Sequence, residues 1–359
     1  MSVYIHIPFC HYICSYCDFP KIIKSDKFID YYLDSLEFEI KNNYKGEVID
    51  TLYIGGGTPS TFSIIHLKRL FDILKVFNLS DDAEISFEAN SEDLTIEKLE
   101  FLKEYVNRLS IGVQTFNSNI LKLLNRSLNI VNLENAFKYF NNINLDLMFG
   151  FNGQSLDDFK SDLDKIIKLN PTHISAYSLI VEPNTKLYID RYMIDDDLGR
   201  EMYDFLCKML KKNGYNHYEV SNFSKKGFES KHNLVYWNNS EYYGFGLGAC
   251  GYVNGERCEN TRGLTSYLKG NYLREKHAVS KEEDVQNEFI LGLRKLSGID
   301  KNLFYKRFGF DIKDFNEVRE LLEKGLLKEN EDSVFINPKY IYLSNEILIN
   351  FVDLALPSK

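Results

Sequence analysis

The chain is short of positive charge, of long apolar runs and of cysteine, and each shortage excludes something. Across 359 residues, 43 Lys and Arg stand against 52 Asp and Glu, a formal net charge of −9. Phosphate neutralisation needs clustered cations, so no nucleic-acid partner is expected. No apolar run is long enough to span a bilayer. The opening MSVYIHIPFCHYICSYC has neither a basic leader nor a small-residue cleavage site, so no signal peptide is read and the expected address is cytoplasmic. Acidity does not forbid a transient membrane visit, yet no amphipathic anchor strong enough to predict one is found. Six cysteines in a reducing compartment are not expected to be disulfides, and clustered ones there indicate a metal or redox site. No fixed-period repeat or low-complexity tract interrupts the chain. With 44% hydrophobic residues, a substantial core is available for one large domain with an appendage, or about two domains.

What is present is an alternation. Short β-branched runs at Val3 to Ile7, Val48 to Ile54, Glu84 to Glu88, Val106 to Gly112, Ile143 to Phe149 and His173 to Ile180 are each followed by helical periodicity. The helical stretches include Asp26 to Asn42, Ser63 to Phe77, Leu156 to Leu169 and Asp197 to Asn213. Strands separated by amphipathic helices indicate βαβ units on a parallel sheet. Six in series predict an α/β fold, an incomplete (β/α)6 barrel over residues 1–214. A Gly-, Asn- and Tyr-rich connecting segment, β-rich, follows over 215–275. Residues 276–359 read as a winged-helix-like α+β module. There Ser280 and Glu283 form a capping-box pattern opening a helix to about Leu296. Helices at Asn302 to Phe308 and Asp314 to Lys324 come next, then a hairpin of Ser333 to Ile336 with Tyr340 to Leu343, and a last helix.

Cys10, Cys14 and Cys17 stand at C-x3-C-x2-C directly after the first strand. Three thiolates on a four-iron cubane leave one iron open, which separates a working site from a sealed one. The alternative is structural zinc, which would want a fourth ligand. His11 falls between two of the cysteines, where geometry is awkward, and His6 is at strand spacing and points into the barrel. Functional residues of (β/α) barrels gather where strands end. The second strand ends in Gly55-Gly56-Gly57-Thr58-Pro59, a turn that lets backbone approach a ligand. It is not a dinucleotide fingerprint, because the third glycine of that motif would fall on Ser60. The later strands end in Glu88 and Gln114 or carry Asp146. Each of these polar groups, taken alone, reads as well as a helix cap or a solvated residue.

This C-x3-C-x2-C loop resembles that of the radical S-adenosylmethionine (SAM) superfamily. The resemblance implies a [4Fe–4S] cluster on Cys10, Cys14 and Cys17, whose open iron chelates SAM and whose electron cleaves the sulfonium to a 5′-deoxyadenosyl radical. Tyr4-Ile5-His6-Ile7-Pro8-Phe9-Cys10 and Leu109-Ser110-Ile111-Gly112-Val113-Gln114-Thr115-Phe116 narrow it to the branch that holds oxygen-independent coproporphyrinogen III oxidase and the haem chaperone HemW family. That likeness runs over almost the whole chain. It implies SAM contacts at Tyr4, Gly56, Gly57, Thr58, Glu88, Gln114, Arg126 and Asp146, with Arg126 a carboxylate clamp.

Three departures argue against the oxidase. Its fourth cysteine, two residues after the third, is here Phe19. Its long N-terminal extension has no counterpart in the nine residues before Cys10. Finally, His232-Asn233-Leu234-Val235-Tyr236-Trp237 matches the HNxxYW motif of the chaperone family. An imidazole can ligate haem iron and flanking aromatics can pack on a porphyrin, so His232, Tyr236 and Trp237 are haem-binding candidates. The other reading is a satisfied histidine beside a core Tyr-Trp pair. Cys207, Cys250 and Cys258 have no ligand spacing and read as ordinary semi-buried thiols, with a soft axial ligand from Cys250 or Cys258, which lie near the haem-candidate segment, as the lesser alternative. The expectation is therefore a chaperone carrying haem as cargo to acceptor haem proteins. The rival is an oxidase that decarboxylates coproporphyrinogen III.

Overall fold

A computed structural model describes residues 1–357. The strands of the main sheet are β1 (Ser2–Ile7), β2 (Val48–Gly56), β3 (Asn78–Asn90), β4 (Arg108–Gln114), β5 (Ile143–Phe149), β6 (His173–Ser178), β7 (Asn216–Glu219), β8 (Asn222–Ser224), β9 (Tyr242–Phe245), β10 (Cys250–Val253), β11 (Glu256–Asn260) and β12 (Leu273–Ala278). They form one sheet in the order β12-β11-β10-β9-β1-β2-β3-β4-β5-β6-β8-β7. From β9 to β6 all neighbours pair in parallel. The sheet curls but stays open, with β12 and β7 as its edges, so the incomplete barrel is what forms.

The helices between strands are α1 (Asp26–Asn43), α2 (Ile64–Leu74), α3 (Ile96–Leu102), α4 (Ser118–Leu123), α5 (Ile130–Tyr139), α6 (Leu156–Leu169), α7 (Lys186–Ile189) and α8 (Asp196–Lys212). Local chemistry sets their ends. Ser155 and Asp158 exchange hydrogen bonds in a capping box at the start of α6, and Asn170 closes it at φ +57°. The outward positions of β1 (Val3, Ile5, Ile7) are fully buried in the same apolar core as Ile29, Leu33 and Leu36 of α1. The inward positions of the strands are polar: Arg108, Ser110 and Gln114 on β4, Asn144 and Asp146 on β5, Ser175 and Tyr177 on β6. Strand period 2 thus separates an apolar coat from a hydrogen-bonding lumen.

Segment 215–275 does not stand apart from the barrel. β8 pairs with β6 at one end, and β9 pairs in parallel with β1 at the other, adding a parallel strand to the six read from the sequence. Helix α9 (Lys231–Trp237) sits between them, with Glu84 of β3 accepting the N–H groups of Lys231 and His232. A short helix, α10 (Leu264–Leu268), follows β11.

The tail contains α11 (Lys281–Gly292), α12 (Lys301–Phe308), α13 (Asn316–Glu323) and α14 (Ser344–Leu348), with β13 (Ile299–Asp300), β14 (Leu327–Glu329) and β15 (Ser333–Ile336) as a small antiparallel sheet. Three expectations are corrected here. The hairpin partner of Ser333–Ile336 is Leu327–Glu329, and Tyr340 to Leu343 lies in a 3₁₀ segment that Pro338 opens at its first position. The helix α11 stops at Gly292, short of Leu296. Its capping box is half made. Ser280 accepts the Glu283 N–H, but the Glu283 carboxylate takes His277 at 3.0 Å instead of reaching back.

Candidate functional site

The three cysteines lie on a loop held at many points. Phe9–Cys10 pairs with Ile22–Ile23, closing the loop at its base. The Ser15 N–H donates to Leu124 O, Leu187 N–H to Ser15 O, and Asn125 Nδ2 to Ile13 O. From inside the lumen, the His6 ring bonds Pro20 O at 2.8 Å, with Tyr4 on its other nitrogen at 2.9 Å. Burial holds that imidazole neutral, with a pKa of about 4.

Cys10, Cys14 and Cys17 all open on one cavity of about 470 Å³. All three are free thiols. The Thr58 hydroxyl lies 3.5 Å from Cys10 Sγ and Arg126 Nη1 3.9 Å from Cys14 Sγ. Burial pushes the Cys10 thiol up to about 11, so ligation there would release a proton. Among the described residues, no three His, Cys, Asp or Glu groups converge as they would on a single metal ion. His11 bonds Asp93 at 2.9 Å rather than facing the thiols. Three sulfur donors on one cavity, with a cation and a hydroxyl beside them, suit a cluster ligated on three corners.

Gly56, Gly57, Thr58, Glu88, Gln114, Arg126 and Asp146 line the same cavity. The glycines are required. Gly56 sits at φ +108°, and a Cβ there would meet the His6 ring at 2.5 Å. A Cβ on Gly57 would meet Ile7 O at 2.8 Å. Glu88 accepts the Tyr53 hydroxyl at 2.7 Å and the Gly56 N–H at 2.9 Å, yet burial keeps its pKa above the usual carboxylate range. Asp146 accepts Asn144 Nδ2 at 2.8 Å and is likewise raised by burial. Gln114 closes β4 at φ +67°, a conformation non-glycine residues seldom adopt. Arg126 Nη2 donates to Gly112 O at 2.7 Å, which fixes the guanidinium beside the cysteine loop. Tyr4 does not line the cavity; its hydroxyl is occupied by His6.

The HNxxYW residues do not form one site. His232 is 1% exposed and stacks on Tyr53 with ring centroids 5.1 Å apart. Thr51 takes its Nδ1 at 2.7 Å and Tyr236 its Nε2 at 2.9 Å, so neither nitrogen is free for an iron. The satisfied-histidine reading fits this environment, and burial lowers its pKa to about 3. Asn233 reaches the inner end of the lumen cavity. Tyr236 and Trp237 line a separate cavity of about 330 Å³, where Arg294 lies over the indole ring.

Sequence reasoning passed over Arg108. It is 2% exposed and lines the cavity with its Nε unbonded, and its charge acts on the Glu88 and Asp146 carboxylates of the same lumen. A buried cation is costly unless opposite charge faces it, and Glu88 and Asp146 of the same lumen supply that charge. The signal was available, because Arg108, Ser110, Gly112 and Gln114 alternate along one strand with Leu109, Ile111 and Val113.

Comparison with known proteins agrees with this architecture. The Radical SAM superfamily profile matches residues 4–166, and the HemN C-terminal domain profile matches residues 279–343. The chain is 39% identical to the haem chaperone HemW of Bacillus subtilis, over 98% of this chain and 99% of that one. It is 38% identical to the HemW of Lactococcus lactis, over 98% and 97%. The HemW of Escherichia coli is 35% identical, over 92% and 93%. In structure the chain resembles the coproporphyrinogen III oxidase HemN of Escherichia coli, described as a radical SAM enzyme. That match has a TM-score of 0.85 at 24% identity, over 98% of this chain and 89% of the other.

Proposed function

The chain belongs to the radical SAM superfamily and, within it, to the haem chaperone HemW family, and from that premise we propose that it binds haem and hands it to acceptor haem proteins. In this reading Cys10, Cys14 and Cys17 hold a [4Fe–4S] cluster, and SAM occupies the rest of the lumen cavity. The observation that carries it is near-full-length identity to relatives named as haem chaperones. The three thiols opening on one polar lumen support the cofactor set.

A cluster of this type supplies single electrons to a bound sulfonium. The chain's own residues do the positioning. Gly56 and Gly57 bring backbone close to the ligand, and Glu88, held by Tyr53, presents an acceptor for an amino group. Arg126 sets positive charge against the cluster loop, and Arg108 does so from the inner end. Residues 1–214 would carry this chemistry, 215–275 would close the lumen floor, and 276–359 would flank it as a separate module. No helix among the described residues is long and apolar enough to cross a membrane.

The test is an anaerobic haemin titration of the cluster-reconstituted protein followed by visible absorption. Saturable one-to-one binding is expected. Absence of saturation, with decarboxylation of coproporphyrinogen III instead, would replace the chaperone by the oxidase.

A further inference from the structure

A second cavity, of about 630 Å³, lies between the end of α1 and the ribbon β10–β12, and it shares no lining residue with the cluster cavity. It is the larger of the two, and the cluster cavity already has to hold a cluster and SAM. Its size falls in the ordinary range for cofactor pockets. Tyr243, Phe245 and Tyr272 supply aromatic wall. Tyr243 and Phe245 stack with ring centroids 5.5 Å apart, and Tyr272 packs edge-on against Tyr267 at 5.0 Å.

Four charged side chains face this groove. Glu39 is sealed by Gly246 N–H at 2.9 Å, Asn260 at 2.5 Å and the Tyr267 hydroxyl at 2.5 Å. Glu256 is neutralised by Lys276 at 2.6 Å. That leaves Lys45, whose ammonium donates only to Asn42 O, as the free charge at the rim. The one soft donor is Cys258. It stands opposite Gly251 on β10 and Lys276 on β12. A Cβ on Gly251 would come within 3.0 Å of the Cys258 sulfur, so the glycine makes room for the thiol itself. Burial raises the Cys258 thiol above its ordinary pKa, with the Gly251 N–H offsetting only part of the shift, so the free group is a thiol and ligation would release its proton.

We propose that this groove is the haem site of the protein, with Cys258 Sγ as an iron ligand and Lys45 meeting a propionate. The proposal rests on the chaperone reading and locates its cargo. Ferric haem gains an Fe–S bond, the Cys258 proton leaves to solvent, and no electron is transferred. Aromatic walls with one cationic rim suit a planar dicarboxylate. An open groove also suits a cargo that must leave again. The wall connects to the cluster loop: Tyr267 stacks on Tyr32 at 5.1 Å, the Tyr32 hydroxyl donates to His6 O at 2.5 Å, and Phe9, next to Cys10, packs edge-on against Tyr32 at 5.4 Å.

Anaerobic haemin titrations of the full, cluster-loaded chain test this, with Cys258→Ala, Lys45→Glu and Cys250→Ala beside the wild type. Iron, sulfide and melting temperature are measured on each, to show that the fold and cluster are retained. The wild type should saturate with the absorption and EPR signature of thiolate-ligated ferric haem. Cys258→Ala should lose that signature and bind about tenfold more weakly, and Lys45→Glu should weaken binding about threefold. Cys250→Ala should behave as the wild type. If the wild type binds but Cys258→Ala keeps its spectrum and affinity, the groove assignment is wrong and the chaperone reading stands. If the wild type does not saturate, both fall.

Discussion

Replacing His232 by Ala separates a structural ring from an iron ligand. The substitution orphans two buried hydroxyls, those of Thr51 and Tyr236, now bonded at 2.7 and 2.9 Å. Each orphan costs ~1–3 kcal/mol, and the space left against Tyr53 adds to that, so the expected loss at pH 7 is about 4 kcal/mol. The pH dependence is the sharper signature. Burial, with Arg108 adding to it, lowers the folded-state pKa from 6.5 to about 3. Below pH 6.5 the unfolded chain therefore takes up a proton that the folded chain refuses. The stability contributed by the ring then falls by ~1.4 kcal/mol for each further pH unit, down to about pH 3. Between pH 7 and pH 5 the gap between wild type and variant should narrow by about 2 kcal/mol. Urea unfolding followed by circular dichroism at both pH values measures it. A gap that is constant with pH, or a variant as stable as the wild type, would refute the structural role.

Three further outcomes are expected. Cys14→Ala should abolish bound iron and sulfide after reconstitution while leaving the circular dichroism of the apoprotein unchanged; retained stoichiometric iron would exclude the cluster assignment. Arg108→Met should raise the pKa values of Glu88 and Asp146 further, because the cation that offsets their burial is removed, and should weaken SAM binding roughly threefold to tenfold in equilibrium dialysis. Undiminished SAM affinity would show that the guanidinium serves something else. Burial raises the Glu219 pKa from 4.5 to about 7, so the folded chain holds that proton longer than the unfolded one and loses ~3 kcal/mol of stability as pH rises through that window. Glu219→Gln should flatten the stability profile there, and an unchanged slope would contradict it.

Much of the architecture was legible because two periodicities carried it. The span Leu156–Leu169 is helical from end to end, since its apolar stripe, capping box and αL terminus all agree. β9 was not, because its four residues, Tyr242–Phe245, have no alternation to read and are placed by pairing with β1. The tail hairpin failed for a related reason. Tyr340 to Leu343 has strand-like composition, but Pro338 starts a 3₁₀ turn and leaves Leu327–Glu329 to pair instead. At the site, cysteine spacing and the glycine run located the mouth of the cavity. The lumen side of the strands was partly hidden, because the alternation of Arg108, Ser110 and Gln114 with Leu109, Ile111 and Val113 separates two faces without telling which one lines a cavity. His232 shows the limit from the other side. Its motif was visible, but only packing reveals that Thr51, remote in sequence, and Tyr236 between them hold both ring nitrogens.

The most direct test of the central claim is transfer. Protein loaded with one haem under anaerobic conditions is mixed with an apo-acceptor haem protein, and the acceptor's own absorption spectrum is followed. The acceptor spectrum should grow while the donor's haem signal falls in equal measure, and faster than from free haemin captured by an unrelated protein. Haem that stays on the chain, or leaves no faster than from that control, would contradict the central claim.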